Sequence, residues 1–260
     1  MSQSSDILIV ERPAVGVVVL RMNRPDQRNA LATSLLTALA DALGAAAEND
    51  AVRCVVVTGS ERVFAAGADI REMASKTGAG ALLDVRGGLW SRIRGFPKPL
   101  VGAVEGLCLG AGLELLMCCD LAVAAEGAQF GQPETNLGII PGAGGTATLP
   151  RLVGRAAAMK LVLLGDPIDS GQALALGLVS HVSATGQALE AALDLASRLT
   201  ARAPLALRQA KAMISAAFDL PHSAHLAAER QAFAVLFATD DKEEGVSAFV
   251  EKRTPQWKGR

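Results

Sequence analysis

Short runs of β-branched and aliphatic residues alternate along the chain with longer stretches in which leucine or alanine returns every three or four positions. Ile7 to Val10 and Val15 to Met22 predict two strands of a hairpin, with Arg12, Pro13 and Ala14 as the turn. After a polar loop, Leu31, Leu35, Leu36, Leu39 and Leu43 recur at helical spacing up to Gly44, and Asn29 is the expected N-cap. Val52 to Thr58 is apolar almost throughout, as in a strand buried on both faces. Val101 to Val104 and Leu121 to Ala124 have the same character, each beside a helical stretch. The alternation predicts an α/β core with parallel pairing over about three quarters of the chain, without an exact sequence repeat. From Gln187 the pattern is helical only: Ala188 to Leu199, Pro204 to Phe218, His222 to Ala238 and Lys242 to Lys252. Phe218, Phe233, Phe237 and Phe249 fall in this last part, and large apolar groups on a helical appendage predict packing against a second copy.

Composition narrows the functions open to such a fold. The 260 residues are half apolar and one fifth charged, enough to bury a large core. With 25 basic and 26 acidic side chains, the net charge of -1 offers no broad cationic face, so neither nucleic acid nor a membrane surface is an expected partner. Leu100 to Ala125 is the longest apolar stretch, but Glu105, Glu114, Asp120 and several glycines interrupt it; it reads as strand, glycine-rich turn and helix. Cys54, Cys108, Cys118 and Cys119 lack a CxxC spacing, and Met1 to Asp6 lacks the pattern of a leader, so reduced thiols and a cytoplasmic location are expected.

Three segments carry the candidate chemistry. Phe64 to Ile70 is a loop of small residues, Phe-Ala-Ala-Gly-Ala-Asp-Ile, which reads either as a tight strand-to-helix turn or as a stretch of accessible backbone amides. Gly106 to Glu114 leads from a strand through small residues into a helix whose free N–H groups can meet an anion or a developing oxyanion. Glu114 follows among Leu113, Leu115, Leu116 and Met117, where poor solvation raises a carboxyl pKa. In the third segment Glu134 comes just after Pro133 and before the apolar Leu137 to Ile140, again a setting that disfavours charge. The glycines after Pro141 read as a turn into a helix. No GxxxxGK[ST], GxGxxG or GxSxG motif occurs, and His181, His222 and His225 have no ligand-like partners, so no metal is expected. Two carboxylates and an amide-lined site suit proton transfer beside a carbonyl.

In order and spacing these segments resemble the enoyl-CoA hydratase/isomerase family, the crotonase superfamily. The resemblance runs from Asn23-Arg24-Pro25 through Ala66 to Ile70, Lys98-Pro99, Gly110 to Glu114, Gly131 to Glu134 and Pro141 to Thr146, ending at Ser247 to Arg253. It implies a crotonase-type spiral of ββα units over residues 1–195 and a helical trimerisation region over 196–260, assembled as a homo-trimer or as a hexamer built from two trimers. It also implies Glu114 and Glu134 as catalytic acids, the amides of Ala68 and Ala111 as an oxyanion hole, and Ala66, Asp69, Ile70, Phe249 and Lys252 as contacts to CoA. At Asp26 some relatives carry a CoA-binding lysine, so that contact is in question here. The implied reaction is addition of water across the 2,3 double bond of an enoyl-CoA thioester, with no cofactor beyond the substrate's own CoA. Leu89-Trp90, Phe64-Ala65-Ala66, Ala228 to Gln231 and Thr254 to Arg260 are similar to the bacterial dehydroadipyl-CoA hydratases of phenylacetate breakdown, which leaves the acyl group open between a short chain and dehydroadipyl. An enoyl-CoA isomerase and a non-catalytic RNA-binding or scaffold relative are the competing readings.

Overall fold

In the computed structural model, which describes residues 6–74 and 76–260, the strand predicted around Val55 is covered on both sides. Met1 to Ser5, most of the polar start, lie outside the described residues. The elements follow in chain order: β1 (Leu8–Ala14), β2 (Val17–Met22), α1 (Thr33–Glu48), β3 (Cys54–Thr58), β4 (Val63–Ala65), α2 (Ile70–Ala74), α3 (Gly78–Leu82), α4 (Arg86–Arg94), β5 (Leu100–Val104), β6 (Leu107–Leu109) and α5 (Ala111–Leu116). Then come β7 (Leu121–Ala125), β8 (Gln129–Gly131), α6 (Gly145–Leu164), β9 (Ile168–Asp169), α7 (Ser170–Ala175), β10 (His181–Ser183), α8 (Ala188–Thr200), α9 (Pro204–Ala216), α10 (His222–Leu236) and α11 (Asp240–Glu251).

Six strands form one sheet in the order β1-β2-β3-β5-β7-β10, parallel except for the β1–β2 hairpin, and a smaller sheet has the order β4-β6-β8-β9. The two orders describe a spiral. Each turn sends one strand to the large sheet (β3, β5, β7), the next to the small sheet (β4, β6, β8), and then a helical segment, so the repeat absent from the residues is present in the path. In β3, Val55 and Val57 face the core shared with α1, while Cys54 and Val56 face the other side with Val101, Ala103 and Val123. Both faces being buried, the strand has no polar side to show, as the continuous apolar run requires. Ala188, Ala192 and Ala196 lay α8 on the second face. The boundary expected at residue 195 passes through α8, which packs against the large sheet from Ala188 through Ala196.

Two local expectations are corrected. The hairpin turns at Val15-Gly16, where Gly16 takes φ +78°, so Arg12 to Ala14 remain in β1. The N-cap of α1 is Ala32, without a side-chain cap, and the helix passes Gly44 to end at Glu48. Asn29 is fully buried at φ +53° instead: its Oδ1 accepts from the Arg24 amide (2.8 Å) and its Nδ2 donates to the carbonyls of Val63 (3.0 Å) and Phe64 (3.1 Å). A left-handed backbone suits asparagine, and its side chain ties β4 to the loop before α1. Asn29→Ala leaves those buried groups unpaired at about 1–3 kcal/mol each, and urea denaturation is expected to show a loss of stability of at least that size.

Candidate active site

Glu114 lies on α5, and α5 begins where the second turn of the spiral leaves the small sheet. Gly110, between β6 and α5, takes φ +54° and ψ -126°, and its N–H donates to the Gly131 carbonyl on β8 at 2.9 Å. At Gly112 a Cβ would lie 2.3 Å from the Ala65 carbonyl oxygen, so only glycine lets α5 come this close to β4. The Glu114 side chain thereby points into the interior with 4% exposure.

One Glu114 oxygen, Oε1, accepts from the amides of Ala143 and Gly145, both at 2.7 Å. These amides belong to the glycine-rich turn at the start of α6, so the segment read as a plain turn grips the carboxylate. Burial raises the pKa of Glu114, opposed by the two amide bonds and by the charge of Arg94. Arg94 also donates to the Ala143 carbonyl at 2.7 Å, bracing the same turn.

Glu134 follows Pro133 in a short 3₁₀ turn, Pro133–Leu137, after β8. Its pKa is raised to about 7, chiefly by burial and further by the charge of Glu114, against a lowering hydrogen bond from its own backbone. Buried Gln132, with its amide nitrogen turned toward Glu134, donates to both carboxylate oxygens at 2.9 Å. A Cβ at Gly110 would come within 3.1 Å of Glu134 Oε1, so the glycine also makes room for this acid.

Both glutamates, Ala66, Ala68, Ile70 and Ala111 line one cavity of about 420 Å³. Neither the Ala68 nor the Ala111 N–H donates to a backbone carbonyl among the described residues, and Ala111 is the first residue of its helix. Two residues with unpaired amides and two acids therefore line the same space. Asp69 does not line it; its carboxylate pairs with Arg24 at 3.1 Å, tying the Ala66 to Ile70 loop to the loop before α1. Phe249 and Lys252, at the end of α11, are exposed and do not line the cavity of their own chain. Sequence reasoning missed the grip of the Ala143 and Gly145 amides, the role of Gln132, and Asp84 and Arg86 in the cavity wall. The charged pair Asp84-x-Arg86 amid small and apolar residues was the available signal for the last of these.

A strand-to-helix turn with unpaired amides, beside one buried and one half-buried acid, is an arrangement suited to chemistry on a carbonyl compound. The chain belongs to the enoyl-CoA hydratase/isomerase family, whose model matches residues 12–260. It is 50% identical to the 2,3-dehydroadipyl-CoA hydratase of Escherichia coli K12, over 97% of this chain and 99% of that protein. It is 43% identical to a probable enoyl-CoA hydratase of Rhizobium meliloti, over 99% of this chain and all of that one. Among solved structures, enoyl-CoA hydratase from Bacillus anthracis superposes with a TM-score of 0.93 at 36% identity, covering 98% of this chain and all of that one. The enoyl-CoA hydratase of Mycobacterium tuberculosis H37Rv gives 0.91 at 33% identity, with the same coverage.

With its pKa near 7, Glu134 carries a proton below that pH and loses it above. Proton donation requires the neutral form, so kcat/KM on crotonyl-CoA is expected to fall as pH rises through about 7. A profile that stays flat from pH 6 to 8.5 would remove Glu134 from the donor role.

Proposed function

We propose that this chain hydrates trans-2-enoyl-CoA thioesters to 3-hydroxyacyl-CoA. The observation that carries the reading is the meeting of Glu114, Glu134 and the free amides of Ala68 and Ala111 around one cavity. Water adds through its oxygen to carbon 3, and the electron pair of the double bond moves toward the thioester oxygen. There the amides of Ala68 and Ala111 receive the developing charge. Glu114, anchored through one oxygen by two amides, has its second oxygen left to orient the water and take its proton. Glu134, whose pKa of about 7 leaves a substantial protonated fraction near neutral pH, supplies in its neutral form the proton that closes the product at carbon 2. No electrons leave the substrate and no group is carried elsewhere, so this scheme calls for no cofactor.

The acyl group is a short enoyl chain or the 2,3-dehydroadipyl group that the E. coli relative's name states. Two acids favour hydration over isomerisation, in which one acid shuttling between carbons 2 and 4 suffices. Ala66 and Ile70, in the cavity wall, are assigned to CoA, with Asp69 holding their loop. Phe249 and Lys252 are assigned to CoA bound by a neighbouring copy. Exposed Phe218, Phe233, Phe237 and Phe249 on and beside α9 to α11 support assembly as a homo-trimer or a hexamer of two trimers. A cytoplasmic location is proposed with it: the four thiols are free, and no helix among the described residues is long and apolar enough to cross a membrane.

Mixing protein with crotonyl-CoA is expected to bleach the ultraviolet absorbance of the conjugated thioester and to give a product heavier by one water. Glu114→Ala should slow this by about 10²- to 10⁴-fold. A wild-type protein that leaves the absorbance untouched overturns the reading. Light scattering on the eluting protein is expected to give three or six chain masses, and Phe233→Glu to shift the particle toward one; a monomeric wild type would contradict the assembly.

A further inference from the structure

Beyond the two glutamates, the cavity wall is mostly hydrocarbon: Met73 and Leu82 near one side, Trp90 on α4, and Leu137, Ile139 and Ile140 after β8. Two more ionisable residues interrupt it, Asp84 and Arg86. Arg86 is the one cation lining the cavity among the described residues, and it precedes Trp90 by one helical turn. Its Nε and Nη2 both reach Asp84 Oδ2 at 2.9 Å, and Lys76 Nζ pairs with that same oxygen. One carboxylate thus serves two cations and the cluster keeps one positive charge. Asp84 is fixed further by accepting from the Arg86 amide at 2.9 Å.

The guanidinium is pinned along one edge and its side chain is 17% exposed, while Nη1 has no acceptor among the described residues. Beside it Gly87 also lines the cavity, and having no side chain it adds no bulk to this part of the wall. An alkyl tail reaching this end would cover an unbalanced charge without satisfying it. An anionic tail would pair with it, and the planar fork of arginine matches a carboxylate.

We propose that Arg86, oriented by Asp84 and backed by Lys76, binds a carboxylate at the far end of the acyl chain, making this a site for mono-CoA thioesters of unsaturated dicarboxylic acids. The proposal rests on the hydratase reading above and selects between the two acyl groups left there. Arg86 sets specificity, and Asp84 is a positioning residue that holds the guanidinium toward the cavity.

The test compares kcat/KM for 2,3-dehydroadipyl-CoA and for hex-2-enoyl-CoA, which has six carbons and a methyl in place of the carboxylate. Wild type is expected to prefer the dicarboxylic substrate. Arg86→Gln is expected to lower the ratio of the two by about ten- to hundredfold, mainly through KM for dehydroadipyl-CoA. Arg86→Lys, which keeps the charge and loses the fork, should give an intermediate ratio, and it provides the readout if the Gln variant does not fold. A wild type without the preference, or a ratio unchanged in the folded variants, overturns the assignment of Arg86 while hydration of either substrate still stands. No hydration of either substrate by wild type would instead sink the underlying hydratase reading.

Discussion

The site depends on how a buried carboxylate is held. Glu114 is almost wholly withdrawn from water, and a lone carboxylate there would take up a proton or unsettle the fold. The Ala143 and Gly145 amides meet one of its oxygens at 2.7 Å, and α6 begins at that point, so the positive end of a helix is added to two direct hydrogen bonds. The bonds also fix geometry: with one oxygen committed, the other has a defined direction. A Cβ at Gly145 would stand 3.1 Å from Glu114 Oε1 and 2.6 Å from the Pro141 side chain, so the turn has little room for anything but glycine. Among the described residues Glu134 has no such pair of backbone donors from another segment, and its pKa rises to about 7. Burial raises the pKa of both acids, and only at Glu114 do two backbone amides from another segment oppose it among the described residues.

The spiral path brings these pieces together from distant parts of the chain. The small sheet aligns β4, β6 and β8, and the segments leaving their ends supply the Ala66 to Ile70 loop, the start of α5 and the Glu134 turn in that order. Each strand is only three residues long, so register errors are limited by the larger sheet behind it, where β3, β5 and β7 pair over longer runs. Close packing at Gly112 and the buried hydrogen bonds of Asn29 then join β4 to its neighbours.

Much of this was legible in the residues, for identifiable reasons. The apolar run around Val55 announced a doubly covered strand, and the leucines of α1 announced a helix, because periodicity reports burial directly. Glu114 and Glu134 stood out as acids in apolar company, and both line the cavity. What periodicity cannot report is a partner distant in sequence. Asn29 looked like a cap because asparagine before a helix usually is one, yet its hydrogen bonds run to carbonyls 34 and 35 residues away. Asp69 likewise turned to Arg24, 45 positions before it. The glycines after Pro141 revealed a turn but not what the turn would grasp, and Arg86 gained meaning only when α4 was set against the cavity.

The division of labour between chain segments has an evolutionary corollary. Glu114, Glu134, Ala68 and Ala111 come from strand ends and the turns locked to them, whereas Met73, Leu82, Arg86 and Trp90 of the cavity wall come from the α2 to α4 stretch between β4 and β5. Among its described residues that stretch contributes no strand to either sheet. Under the proposed mechanism, drift in residues 70–94 would retune which acyl tails are accepted while both acids and the amide donors are inherited unchanged, so one scaffold could diversify by editing a single helical insert.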